Sequence, residues 1–171
     1  VDLPAFYIDC APVTNGDFIA FIEDRGYDRR ELWAEAGRGW LEEKGRRLPR
    51  YWSREGDGFA VRAFAETGDV DPTLPLCHVC WHEADAYARW AGKPLPSEAE
   101  WEKAACWRDD LQRAMVYPWG DNWDANGANC RDGGAGGTVP ISSYSPAGDS
   151  PYRVAEMVGN VWEWTSSAYR R

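Results

Sequence analysis

An α+β chain, mixed in its elements and irregular between them, is what these 171 residues predict. Three observations carry that expectation. Apolar residues recur at helical spacing only over short stretches, and brief alternating or apolar runs between them read as strands. Eleven tryptophans sit among seventeen glycines and eleven prolines, which interrupt the chain too often for long elements. The length suits one domain over residues 1–171, large enough to bury about 70% of its unfolded surface without crosslinks.

From the N-terminus, Ala5–Asp9 alternates and predicts a strand. Pro12-Val13-Thr14-Asn15 turns the chain, and Thr14 or Asn15 can cap a helix whose stripe is Phe18, Ile19, Phe21 and Ile22 and whose stop is Gly26. Glu31–Trp52 is a long connection, with helical turns expected around Arg38–Lys44. Tyr51-Trp52 and Phe59–Phe64 are strand candidates, and Asp71–Pro75 is a rigid extended link. Leu76–Trp81 reads as a short buried strand. A helix follows over His82–Ala91, with Trp81, Ala84, Ala88 and Ala91 on one face and Gly92 as its stop. Ser97-Glu98-Ala99-Glu100 is a capping box that opens another helix through Trp101, Ala104, Ala105 and Arg108. Beyond Tyr117 the chain reads mostly as loop, very flexible at Asp132–Gly137, until Met157–Thr165 returns as a strand.

The balance of 28 acidic against 19 basic residues leaves a net charge of -9, which argues against a nucleic-acid footprint. Arg29-Arg30 and Arg46-Arg47 with Arg50 are the basic clusters and read as solvated surface. No run of 18 apolar residues predicts a membrane-spanning helix. The opening VDLPAFYIDC has no basic-then-apolar leader pattern, and both it and the closing SSAYRR read as interruptions of a longer polypeptide. Five cysteines at irregular spacing (Cys10, Cys77, Cys80, Cys106 and Cys130) do not make a disulfide framework and fit a reducing cytoplasm, although a single bridge stays open.

Few motifs offer chemistry. Cys77-His78-Val79-Cys80 with His82 invites zinc, but strand alternation would put the two thiols on opposite faces, so small buried thiols are expected instead. The same two histidines have no readable nucleophile partner. Glu98, Glu100 and Glu102 are accounted for by helix capping and the macrodipole. Glu163, between Trp162 and Trp164, is expected to be partly buried and to need an arginine, backbone N–H groups or a hard cation such as calcium. Asn122–Gly127 starts like a calcium loop, yet its twelfth position would be Gly133, so turn chemistry is expected. No phosphate-cradling, dinucleotide or nucleophile-elbow motif is present.

Pro12–Asn15 with Phe18 and Phe21, His78-Val79 through Ala84 and Tyr87, Trp90–Pro96, Ser97–Glu102, Tyr117–Gly120 and Val158–Trp164 together resemble the formylglycine-generating enzyme / sulfatase-modifying factor superfamily. That resemblance implies a variant of the C-type lectin fold. Gly26-Tyr27, Arg30–Trp33, Gly39-Trp40-Leu41, Pro49–Trp52, Leu76–Val79 and Glu83–Ala88 look most like the C-terminal domain of ergothioneine-type sulfoxide synthases. Such enzymes use non-haem iron and O2 to join a cysteine-containing thiol to trimethylhistidine. The resemblance implies that the iron histidines belong largely to an upstream helical domain of the same polypeptide. It also implies that the assisting tyrosine lies further along than these residues reach, so no catalytic residue can be numbered here. The family's structural calcium sites map onto Asn129, Gly159, Val161 and Glu163, with Glu156 where an asparagine is usual. A formylglycine-generating copper oxidase acting on sulfatases and a non-catalytic lectin-like binding module are the alternatives.

Overall fold

The computed structural model describes residues 2–168; Val1 and the Tyr169–Arg171 end of SSAYRR lie outside the described residues. In chain order the elements are α1 (Asn15–Glu23), a 3-10 turn (Arg30–Leu32), α2 (Glu35–Lys44), β1 (Trp52–Glu55), β2 (Gly58–Ala63), β3 (Glu66–Asp69), α3 (Trp81–Trp90), α4 (Glu98–Cys106), β4 (Trp107–Arg108) and β5 (Arg113–Ala114), with a second 3-10 turn at Arg131–Gly133. Short helices and small antiparallel sheets joined by long irregular segments make the chain α+β, as expected. It divides into two compact units, Val13–Leu95 and Val1–Pro12 with Pro96–Arg171.

The Val13–Leu95 unit is built on aromatic packing. Thr14 caps α1: its hydroxyl accepts the Asp17 N–H, and the Asp17 carboxylate accepts the Thr14 N–H. The predicted stripe then buries Phe18 and Phe21 completely. Each contributes about 1.5–3 kcal/mol from burial. Around them lie Tyr27, Leu32, Trp33, Leu41 and Ala86, with Tyr87 and Trp90 from α3 at the margin. Phe21 and Tyr87 centroids are 6.0 Å apart, edge to face, and Trp33 stacks on Trp40 at 6.3 Å. Gly26 is forced by this packing, because a Cβ there would fall 2.1 Å from the Phe21 ring. The helix itself ends earlier, at Glu23, with Asp24 as its cap.

The polar tips of Trp33, Trp90, Tyr27 and Glu83 find partners. The Trp33 indole donates to the Gly26 carbonyl at 2.9 Å, and the Trp90 indole donates to Asp24 Oδ2 at 2.7 Å. Glu83 is 1% exposed. Its Oε1 accepts from the Tyr27 hydroxyl at 2.6 Å and its Oε2 accepts from the Cys80 N–H at 2.7 Å. Desolvation pushes the Glu83 carboxyl up, and burial with the adjacent Glu83 charge pushes the Tyr27 phenol up. The buried residues of α3 are therefore Glu83, Ala86 and Ala88, so of the predicted Trp81, Ala84, Ala88 and Ala91 face only Ala88 is buried. A carboxylate that must reach its own helix start and a tyrosine overrides the placement of small residues.

The three-stranded sheet runs β1-β2-β3, antiparallel, with Trp52 opposite Val61 and Ala60 opposite Asp69. Tyr51-Trp52 and Phe59–Phe64 do supply strands, but β3 is polar and fully exposed and carries no alternating signal. Gly56, at φ 57, makes the two-residue β1–β2 turn.

Three predicted strands do not form. In Ala5–Asp9 the alternation is real, since Phe6 and Ile8 pack on the second core while Tyr7 is fully exposed, but no neighbouring strand completes a ladder. Leu76–Trp81 is broken by His78 at φ 64 and gives way to the N-cap of α3 at Cys80. Met157–Thr165 is broken by Gly159 at φ 82 and Asn160 at φ 52. Asp71–Pro75 is a turn rather than an extended link, with Asp71 Oδ1 accepting the Thr73 N–H at 2.8 Å.

In the other unit, Ser97 and Glu100 form the predicted capping box of α4. Ala104 and Ala105 from α4 pack with Val154 and Met157, flanked by Trp101. Replacing Tyr27 by Phe should lower the unfolding free energy by about 1–3 kcal/mol, because buried Glu83 Oε1 loses its donor. Urea unfolding of the wild type and Tyr27→Phe checks this; a difference below about 0.5 kcal/mol would mean the bond carries no weight.

Candidate polar site around Asn160 and Glu163

The Val158–Trp164 segment does not lie as a strand, so its side chains are placed by turns. Gly159 must be glycine here: at φ 82 its missing Cβ would sit 2.4 Å from the Asn129 carbonyl oxygen. That close approach lets the Asn160 N–H donate to the same carbonyl at 2.8 Å. The Asn129 amide nitrogen donates to the Gly137 carbonyl at 2.8 Å and to Asn160 Oδ1 at 3.0 Å. Asn160 in turn pairs with both backbone groups of Val139, accepting its N–H at 3.0 Å and donating to its carbonyl at 3.0 Å. Two asparagines thus tie the end of the glycine-rich loop to the 159–160 turn. Asn129 and Gly159 lie against one another, and Asn160, which the sequence reading did not single out, is the residue that joins them. Its signal was the Gly-Asn pair itself, which favours the left-handed turn.

Glu163 lies beyond this turn with its Oε2 3.3 Å from the Trp101 indole nitrogen. Trp162 is fully exposed and Trp164 is exposed, so the expected aromatic sandwich around Glu163 does not form. Glu163 itself keeps access to solvent, yet the protein crowding its carboxyl pushes its pKa up to about 7, against the Trp101 bond and helped by Glu156. Glu156 is 7% exposed, has φ 63, and buries Oε1 without a hydrogen-bond partner. Burial raises its pKa, with Asp149 adding to the rise and Asn160 and the Ser142 amide opposing it. An orphaned buried carboxylate oxygen beside a second carboxyl is a donor set that suits a hard cation. Asn129, by contrast, commits its amide N–H groups and its carbonyl to the turn.

The other sequence candidates separate. Exposed His78 meets the Tyr51 ring edge to face at 5.1 Å, while His82 lies near Trp40 and buries Nδ1 without a partner. Cys77 and Cys80 are free and half-buried, and desolvation raises both thiols, the opposite of an activated nucleophile. The strand-face argument against zinc fails with the strand. The donor set now decides: among the described residues no three His, Cys, Asp or Glu side chains converge on a metal position. An iron centre therefore does not fit the residues of this chain alone. Asp124 Oδ1 accepts the Asn126 N–H at 2.9 Å, so Asn122–Gly127 is the turn it was expected to be. All five thiols are free, and no described helix is long and apolar enough to cross a membrane.

Residues 1–171 match the family described as sulfatase-modifying factor enzyme 1-like domain. The hercynine oxygenase of Mycolicibacterium thermoresistibile is 44% identical over 170 residues, covering 99% of this chain and 37% of that protein. The hercynine oxygenase of Mycolicibacterium smegmatis is 39% identical over 170 residues, covering 99% of this chain and 39% of its own length. The inactive C-alpha-formylglycine-generating enzyme 2 of Bos taurus is 34% identical over 200 residues, covering 99% and 62% respectively. The chain thus spans less than two fifths of the hercynine oxygenases it matches.

Because the folded pKa of Glu163 lies above its ordinary 4.5, the folded state holds this proton more tightly than the unfolded state. Its contribution to stability is full below about 4.5 and is lost as pH rises through about 7. Carboxylates held low, such as Glu100 in its capping box, act in the opposite sense and at lower pH. Melting temperatures between pH 4.5 and 8 should therefore fall with pH, and Glu163→Gln should flatten that slope; an unchanged slope would remove Glu163 as its source.

Proposed function

The chain belongs to the sulfatase-modifying factor enzyme 1-like family, and on that premise we propose that it is part of the C-terminal domain of an iron- and O2-dependent sulfoxide synthase. The reaction joins a cysteine-containing thiol to trimethylhistidine in ergothioneine formation. The observation that carries this reading is the identity of 44% to a hercynine oxygenase across 99% of the chain. It is supported by Arg30–Trp52, the segment that separates this branch by resemblance: it supplies the 3-10 turn, α2, and the buried Leu32, Trp33 and Leu41 of the aromatic core.

Iron would be held by donors from an upstream helical domain of the same polypeptide and would supply O2 activation there. These residues contribute a shaped, rigid platform, since the buried Tyr27 hydroxyl donates to Glu83 and burial raises the Cys77, Cys80 and Cys106 thiols. A structural calcium ion, held by the carboxyls of Glu156 and Glu163 and the carbonyls of Gly159 and Val161, would relieve the orphaned Glu156 oxygen. The free thiols suit a reducing cytoplasm.

A second reading, a non-catalytic member, is favoured by one observation: none of the three cysteines with a displaced pKa is shifted toward the thiolate. The whole protein, supplied with Fe(II), O2, trimethylhistidine and a cysteine-containing thiol, decides between them. Mass spectrometry should detect the coupled sulfoxide with the whole protein and none with residues 1–171 alone. No product from the whole iron-loaded protein supports the non-catalytic reading, and turnover by residues 1–171 overturns the division of labour.

A further inference from the structure

Arg46, Arg47, Arg50, Tyr51, Trp52 and Arg62 line an open groove of about 550 Å³ in the Val13–Leu95 unit. Four guanidinium groups gather here in a chain whose net charge is -9. Arg47 pairs with Asp28 at 3.3 Å. Among the described residues, Arg46, Arg50 and Arg62 have no carboxylate within ion-pairing distance. Elsewhere in the chain arginines do find carboxylates, as Arg113 does with Asp121 at 2.6 Å and Arg108 with Asp110 at 2.7 Å.

The backbone holds this gathering in place at a cost. Tyr51 sits at φ 74 and His78 at φ 64, a region that bulky residues rarely occupy. The two are in contact: their rings meet at 5.1 Å, and the Arg50 N–H donates to the His78 carbonyl at 3.2 Å. The Tyr51 carbonyl accepts the Arg62 N–H at 3.0 Å. The guanidinium carbons of Arg50 and Arg62 lie 4.7 and 5.7 Å from the centroid of the Tyr51 ring. Both guanidinium groups therefore lie against one tyrosine held at positive φ, and neither is ion-paired to a carboxylate. Residues held in such conformations cluster at functional sites.

We propose that this groove is a binding site for a small oligo-anion carrying two or more carboxylate or phosphoryl groups. Planar guanidinium groups match both oxyanions bidentately, and three unpaired ones ask for more than one such group. The groove is short and the surrounding chain acidic, which opposes an extended nucleic acid.

Calorimetric titration of the whole protein with citrate and with tripolyphosphate, at fixed ionic strength, tests the site. At least one should bind saturably, and the one that binds tells carboxylate from phosphoryl recognition. Arg50→Gln with Arg62→Gln should weaken that binding by about tenfold or more, each change removing charge-assisted hydrogen bonds. Arg54→Gln, whose guanidinium lies on Phe59 outside the groove, should leave it unchanged. Arg46→Gln, at a residue with no ring contact to lose, should weaken binding too and keeps the test valid if the double variant unfolds. No saturable binding, equal binding by the Gln variants, or tighter binding of a single-stranded oligonucleotide that grows with its length would each overturn the proposal.

Discussion

The buried carboxylate of Glu83 is the constraint around which the Val13–Leu95 unit is arranged. A glutamate 1% exposed in an aromatic core would be ruinous without partners. Its two oxygens are both used, one by the Tyr27 hydroxyl and one by the Cys80 N–H. The first bond pins the segment after α1 to α3. The second closes the start of α3, where Cys80 itself offers no hydroxyl as a cap. Phe18, Phe21, Tyr87 and Trp90 can then meet ring to ring because the loop carrying Tyr27 is held at a set height. Few hydrogen-bonded ladders exist in this unit outside the small sheet, so side-chain anchors of this kind replace them.

The helices were legible where a cap and a period coincide. Thr14 with the Phe18–Ile22 stripe and Ser97 with Glu100 each combine a start signal with packing residues, and both helices start as read, although α1 ends at Glu23 before Gly26 and α4 at Cys106 before Arg108. Glu83 was visible in principle as the third residue after an N-cap, but cysteine in the cap position hid the box. The strands were misread for one common physical reason. Alternation reports which side chains face inward, as Phe6 and Ile8 do, but not whether a neighbouring strand is available to pair. Positive φ at His78, Glu156 and Asn160 belongs to residue types for which sequence gives weak or no warning, asparagine excepted.

The candidate site was legible in part for a related reason. Asn129, Gly159 and Glu163 were singled out through the motif that carries the resemblance, and the structure brings Asn129 against Gly159. What the motif did not convey was the bond count. Asn160 makes four of the connections that hold the turn, and Glu156 supplies the buried oxygen with no partner. Satisfaction of polar atoms is a three-dimensional property, because it depends on which backbone groups a turn leaves open. The same limit concealed the groove: three arginines in sequence were readable, but the fourth, Arg62, comes from a paired strand and Tyr51 between them is placed by the hairpin.

Both units thus carry charge that the chain itself does not neutralise, of opposite sign. In one, burial raises the proton affinity of Glu156 and Glu163, with the Glu156 charge adding to the rise at Glu163, which favours the neutral forms unless a cation intervenes. In the other, guanidinium groups cannot take the same escape, because arginine does not give up its proton in a protein. Carboxyls can stay neutral without a ligand; unpaired arginines must remain solvated or take an anion. The asymmetry means that the raised carboxyls can shed charge by holding a proton, whereas the basic groove remains a standing attraction for oxyanions at every pH the fold survives.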